Sequence, residues 1–120
     1  MVIGPENTAA LSSEPLCYLT TIGRITGRFH TVEIWFALFG QTIYILAGYG
    51  ERADWVRNVF HTPQCTIRIR ERVFRAQARR VTTPDEDNTA RRLLQDKYSS
   101  PEDNLDQWTR HSLPLAFDLE

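Results

Sequence analysis

The sequence lacks the residue spacings that mark a metal centre or a hydrolytic triad. Its two cysteines, Cys17 and Cys65, form no CxxC pair, and His30, His61 and His111 are scattered along the chain. No Gly-x-Ser-x-Gly motif is present to carry a nucleophilic serine. We therefore expect no bound metal, two buried thiols in a reducing compartment, and no hydrolase chemistry.

Long apolar runs and a strong excess of one charge are also absent. The longest apolar run, residues 34–40, is too short to cross a bilayer, and no basic stretch precedes an apolar run near the N-terminus. The formal net charge is −1, which disfavours a general nucleic-acid binder. We expect a cytoplasmic protein without a transmembrane segment or a nucleic-acid partner.

Arginine is instead concentrated in one segment, residues 68–80, which holds a single acid, Glu71. One interpretation is a solvated outer strand face; the other is a track for an anionic cofactor tail or nucleic acid. No exposed aromatic residues are interleaved, which favours the solvated face. The arginines are Arg68, Arg70, Arg72, Arg75, Arg79 and Arg80.

Alternating and β-branched segments predict a mainly β protein with flanking helices, of the α+β class. Strands are predicted at 16–22, 31–39, 42–47, 65–70, 73–81 and 113–119, with helices at 51–60 and 84–98 and another beginning near residue 101. Mostly consecutive antiparallel strands indicate a small barrel with helices outside it. We expect one domain over residues 15–120, preceded at 1–14 by a mobile arm or a short, poorly formed helix.

Two glycine-containing segments are candidates for anion binding. Gly23 and Gly27 bracket a bend that also carries Arg24 and Arg28, so its amides and guanidinium groups suit a phosphate, although an ordinary turn has the same pattern. The segment 48–50 leads into a helix whose N-terminus favours anions, but taken alone the segment slightly favours a simple strand–helix joint. His30, close to Arg28 in the chain, is placed to touch a bound phosphate.

Four segments of the sequence resemble the deazaflavin-dependent nitroreductase family. They are LTTIGRITGR at 19–28, TVEIWF at 31–36, GERADWVRN at 50–58, and WTR with the following LP at 108–114. The resemblance implies an FMN-binding-like split β-barrel and the cofactor coenzyme F420, a deazaflavin with a phosphate and a glutamate tail. Related barrel families bind FMN, which is the alternative cofactor.

The resemblance also implies the positions of the cofactor contacts. The phosphate would be held by the bend after the first strand, and the ring would lie along the second strand and the entry to the first helix. The implied cofactor-binding residues are Gly23, Arg24, Thr26, Gly27, Arg28, Ile34, Trp35, Gly48, Gly50, Asp54, Trp55 and Asn58.

The implied activity is hydride transfer from reduced F420 to a quinone, nitroaromatic or similar planar small-molecule acceptor. Tyr49 and Tyr98 are the candidate catalytic proton donors. The alternatives are an FMN-binding oxidoreductase of the same fold and a non-catalytic cofactor-binding protein. A chain of this size builds a site in a surface groove or at a subunit boundary, so a homodimer is also considered.

Overall fold

The computed structural model describes residues 5–120, with side chains from residue 9 onward. Seven strands form one antiparallel sheet in the order β2-β1-β5-β6-β7-β4-β3. The strands are β1 Cys17–Ile22, β2 Phe29–Ile34, β3 Ala37–Phe39, β4 Thr42–Ala47, β5 Gln64–Ile69, β6 Arg72–Arg80 and β7 Leu113–Leu119. The helices are α1 Pro5–Ser12, α2 Asp54–His61, α3 Pro84–Tyr98 and α4 Asp106–His111, with a 3-10 turn at Gly50–Arg52.

The sheet curls into a half-barrel, and apolar side chains of its concave face form the main core. Leu19, Ile67 and Phe117 are fully buried in this core, which α2 enters through Val56 and Val59. α3 packs on the opposite side of the sheet, where Ala90 and Leu94 meet Leu46 and Ala116. The predicted mainly β fold with flanking helices, a split β-barrel of the FMN-binding-like type, is confirmed.

The prediction of a single strand at 31–39 is wrong, because the strand is interrupted at Trp35 and Phe36. Its two halves, β2 and β3, lie at opposite edges of the sheet. At the break, the Phe36 N–H donates to the Tyr98 hydroxyl at 3.1 Å, and the Phe36 carbonyl accepts from Lys97 Nζ at 3.0 Å. Two side chains of α3 therefore replace the hydrogen bonds that a continuous strand would make to a neighbouring strand.

The fourth helix begins later than the sequence indicated. Ser100 and Asp103 exchange two backbone hydrogen bonds of 3.1 Å and close a tight turn where a helix start was predicted. Asn104 Oδ1 then accepts from the Asp106 N–H at 2.9 Å, at the first turn of α4. This later start sets the position of Trp108.

The predicted N-terminal arm falls partly outside the described residues, which begin at Pro5. From there the chain forms α1, and Leu11 is buried in the barrel core. The mobility of the arm and a domain boundary at residue 15 stay predictions. None of the helices within residues 5–120 is long and apolar enough to cross a membrane.

Both cysteines are free and buried. Burial raises the pKa of the Cys17 and Cys65 thiols to about 12. Neither thiol is therefore poised for reaction as a thiolate at neutral pH.

Candidate functional site

Two adjoining grooves meet at Trp55. The first, the loop groove, has a volume of about 580 Å³ and lies between the β1–β2 bend and α2; it is lined in part by Gly23, Arg24, Thr26, Asp54, Trp55 and Asn58. The second, the aromatic groove, has a volume of about 630 Å³ and is lined in part by Ile34, Trp35, Gly48, Tyr49, Trp55 and Trp108. Most of the predicted site residues thus come together, from elements far apart in the chain.

The bend of the loop groove is held by its own backbone. The Gly23 N–H donates to the Arg28 carbonyl at 2.7 Å, and the Gly27 N–H donates to the Gly23 carbonyl at 2.8 Å. Gly27 has φ +74°, a conformation that glycine adopts without strain. Within residues 5–120, the N–H groups of Ile25 and Thr26 make no hydrogen bond, so two backbone donors at the tip of the bend are free for an anion.

Arg24 is fixed in the loop groove by two residues of α2. Its Nη1 donates to Asn58 Oδ1 at 2.9 Å and its Nη2 donates to Asp54 Oδ1 at 3.2 Å. The Arg24 N–H also donates to Asn58 Oδ1, at 3.2 Å, while Asn58 Nδ2 donates to Thr21 Oγ1 at 3.2 Å. A guanidinium has five N–H donors, so Arg24 keeps donors for a ligand after these contacts are made.

The aromatic groove is built on a stacked pair of rings. Trp35 lies parallel to Tyr98, with ring centroids 4.3 Å apart, and meets Trp108 edge-on at 5.3 Å. Trp108 also lies close to Gly48, where a Cβ would come within 3.3 Å of Trp108 Nε1. The result is an aromatic wall suited to a planar ligand.

The two candidate proton donors are placed differently. Tyr49 is exposed at the mouth of the aromatic groove. The Tyr98 hydroxyl lies behind Trp35, within 2.9 Å of the Pro15 carbonyl and 3.1 Å of the Phe36 N–H. Burial raises the pKa of Tyr98 to about 12. Its ring stacks on Trp35, and Tyr98 is not among the residues that line either groove.

Three predicted contacts, Gly27, Arg28 and Gly50, lie outside both groove linings. Conversely, Trp108 lines the aromatic groove although it is not among the predicted site residues. The sole sequence signal for it was its place in the segment at 108–114. His30 lines the loop groove.

Several side chains of the arginine-rich segment have local partners in the structure. Arg79 Nη1 pairs with Glu86 at 2.7 Å, and its Nε pairs with Asp118 at 2.7 Å. Arg70 pairs with Glu14 at 3.1 Å. Further local contacts are those of Arg68 with the Tyr18 ring and of Arg80 with Glu51 and the Phe60 ring.

No group of three or more potential metal-ligating side chains occurs in the part of the chain that the structure describes. The loop groove carries one arginine, one histidine and one carboxylate. These groups, together with the free amides of the bend, can bind an anion beside an aromatic surface.

A curled seven-stranded half-barrel with such grooves defines a protein of the split β-barrel class. Residues 3–120 match the family model described as F420H(2)-dependent quinone reductase, and the chain belongs to that family. The family is F420-dependent, and the chain is accordingly an oxidoreductase by family. A comparison with curated proteins found no match.

Solved structures share the fold at low sequence identity. An F420-H2 dependent reductase (FDR-A) is 18% identical, with a TM-score of 0.70 over 88% of this chain and 94% of that chain. The heme storage protein HutZ from Vibrio cholerae is 17% identical, with a TM-score of 0.74 over 100% and 92% of the two chains. A protein described as a domain-swapped dimer is 20% identical, with a TM-score of 0.69 over 88% and 80%.

Proposed function

We propose that this protein binds coenzyme F420 and transfers hydride from its reduced form to a planar acceptor of the quinone or nitroaromatic type. Family membership supports the cofactor. The observation that carries the proposal is Arg24, locked by Asn58 and Asp54 in a polar groove that opens at Trp55 onto an aromatic one. An anionic tail and a flat ring system require these two environments side by side.

The loop groove would hold the acidic end of the cofactor. Arg24 and the free N–H groups of Ile25 and Thr26 would donate to a phosphate, and Asp54 and Asn58 would keep the guanidinium in place. Gly23 and Gly27 would give the bend its shape. Arg28 and Gly50, which lie outside the groove linings, would act at longer range or through the backbone.

The aromatic groove would hold the ring and the acceptor. Ile34, Trp35, Gly48 and Trp55 would lie along the cofactor ring, and Trp108 would close the acceptor side. The cofactor supplies the hydride, while the protein supplies binding, orientation and exclusion of water. A quinone that accepts hydride also needs a proton, and the exposed Tyr49 hydroxyl is the candidate donor.

Parallel titration of the purified protein with F420 and with FMN tests this proposal. Arg24→Ala should weaken F420 binding about ten- to a hundredfold, because one charge-assisted contact contributes roughly 1.5–3 kcal/mol. Arg92→Ala is the matched control, since Arg92 is exposed on α3 and outside both grooves. Unchanged affinity in the Arg24 variant would remove the bend from the site, and preference for FMN would favour the flavin alternative.

Two finer expectations are part of the proposal. A homodimer is consistent with the domain-swapped dimer found among proteins of this fold. β2 lies at an edge of the sheet and is largely exposed, which offers a surface for a second copy. Light scattering of the purified chain would measure the assembly, and fractionation of cells that make the protein would test the expected cytoplasmic location.

A further inference from the structure

His30 places an imidazole against the bend of the loop groove. It lies in β2 opposite Thr21 of β1, and its side chain is exposed. A Cβ built on Gly23 would lie 2.7 Å from His30 Nε2 and 3.1 Å from Thr26 Oγ1. The imidazole edge therefore occupies the space that any side chain at position 23 would fill.

The charges of the loop groove are balanced when His30 is neutral. Of the elements that line the groove, the bend contributes Arg24, β2 contributes His30, and α2 contributes Asp54. Arg24 and Asp54 form an ion pair at 3.2 Å, so their formal charges cancel. Arg28 belongs to the same bend but lies outside the lining. Protonation of His30 thus changes the formal charge of the lining from zero to +1.

We propose that His30 is the pH-dependent anion ligand of this groove. In its protonated form it donates a charge-assisted hydrogen bond to a phosphate-class anion. The proposal rests on the proposed function only for the identity of that anion, the acidic end of F420. His30 thereby makes cofactor affinity depend on pH.

The sign of the pH effect follows from linkage. A bound anion stabilises the imidazolium, so binding is tighter in acid, where His30 is protonated. The advantage is lost as pH rises and the imidazole becomes neutral. One charge-assisted hydrogen bond from the imidazolium should make binding about tenfold tighter at about pH 5.5 than at about pH 8.

Equilibrium titration with oxidised F420 at these two pH values tests the proposal. The variants are wild type, His30→Gln and His61→Gln; His61 is exposed at the end of α2 and lines neither groove. Any titration of the cofactor itself affects all three proteins alike and cancels in the ratio of affinities. A second measurement follows the His30 pKa by NMR with and without sulfate, whose charge is constant over this range.

We expect wild type and His30→Gln to bind F420 about equally near pH 8 and to differ about tenfold near pH 5.5, with His61→Gln like wild type. An equal ratio at both pH values would overturn the role of His30 while leaving the proposed function intact. If none of the three proteins binds F420, the proposed function fails. The NMR titration of His30 with sulfate then tests the role of His30 by itself. A raised His30 pKa would then support the anion ligand, and an unchanged pKa would overturn it.

Discussion

Replacing Asn58 by alanine should cost more stability than its size suggests, because this buried amide joins α2 to the β1–β2 bend. Asn58 is 4% exposed. Its Oδ1 accepts from the Arg24 N–H and from Arg24 Nη1, and its Nδ2 donates to Thr21 Oγ1. The alanine variant leaves all three of these partner groups without their contact.

The size of the effect follows from these contacts. Each neutral hydrogen bond contributes about 1 kcal/mol and the charge-assisted one about 1.5–2 kcal/mol, so Asn58→Ala should lower the free energy of unfolding by about 3–4 kcal/mol. Urea denaturation monitored by circular dichroism measures this change. The control is Asn88→Ala, at an exposed position on α3, which should change stability by less than about 0.5 kcal/mol.

The same variant should also weaken cofactor binding, because Arg24 keeps only Asp54 as its side-chain partner. F420 affinity is measured without denaturant, where the variant is still folded. A lower affinity under these conditions cannot be attributed to unfolding. If Asn58→Ala unfolded at the same urea concentration as Asn88→Ala, the amide would not be the link between α2 and the bend, and the reasoning would be refuted.

Two further substitutions test the packing of α3. Hydrogen bonds from Arg79 lower the pKa of Glu86 to about 2. The contribution of Glu86 to the free energy of unfolding is therefore fully present above about pH 4.5 and is lost as pH falls toward 2. Glu86→Gln should therefore reduce the free energy of unfolding near neutral pH by about 1–2 kcal/mol after solvent screening, and by much less in acid; a difference that is constant with pH would contradict this. Tyr98→Phe keeps the ring stacked on Trp35 but removes the hydroxyl partner of the Phe36 N–H, so stability should fall by about 1–3 kcal/mol. A loss of turnover without a loss of stability would instead indicate that Tyr98 is the proton donor.

Features set by neighbours in sequence were predictable. The hairpin at Gly40 has the two-residue connection expected between β3 and β4, with Phe39 paired to Thr42. α3 begins as its capping pattern indicates, with Thr83 Oγ1 accepting from the Glu86 N–H at 3.2 Å. These elements follow from local backbone preferences, which the sequence displays directly.

Features set by distant partners were not predictable in this way. By its composition, the apolar segment 31–39 is a plausible single strand. In the fold it is interrupted at Phe36, whose backbone is bound by Tyr98 and Lys97, some sixty residues later in the chain. Likewise, alternation in β6 places Arg79 on the outer face, but only the fold brings Glu86 and Asp118 to it. Periodicity reports which face a residue occupies and not what covers that face.

The candidate site also combines features that are set by neighbours in sequence with features that are set by distant partners. Glycines and arginines within one bend could be recognised from their spacing, and the family resemblance added Asp54 and Asn58 to them. The neutralisation of Arg24 by Asp54, the retreat of Tyr98 behind Trp35 and the exposure of Trp108 in the groove are tertiary facts. They alter which residues are proposed to touch the ligand.

The most direct test of the central claim is a map of backbone amide NMR shifts as F420 is added to the isotopically labelled protein. We expect the amides of Ile25 and Thr26 to shift most, since they are the free donors of the bend, with smaller shifts at Trp35 and Trp55. This expectation would be contradicted if those amides stayed still while the largest changes fell on the outer face of the sheet, for example at Thr66 and Arg75.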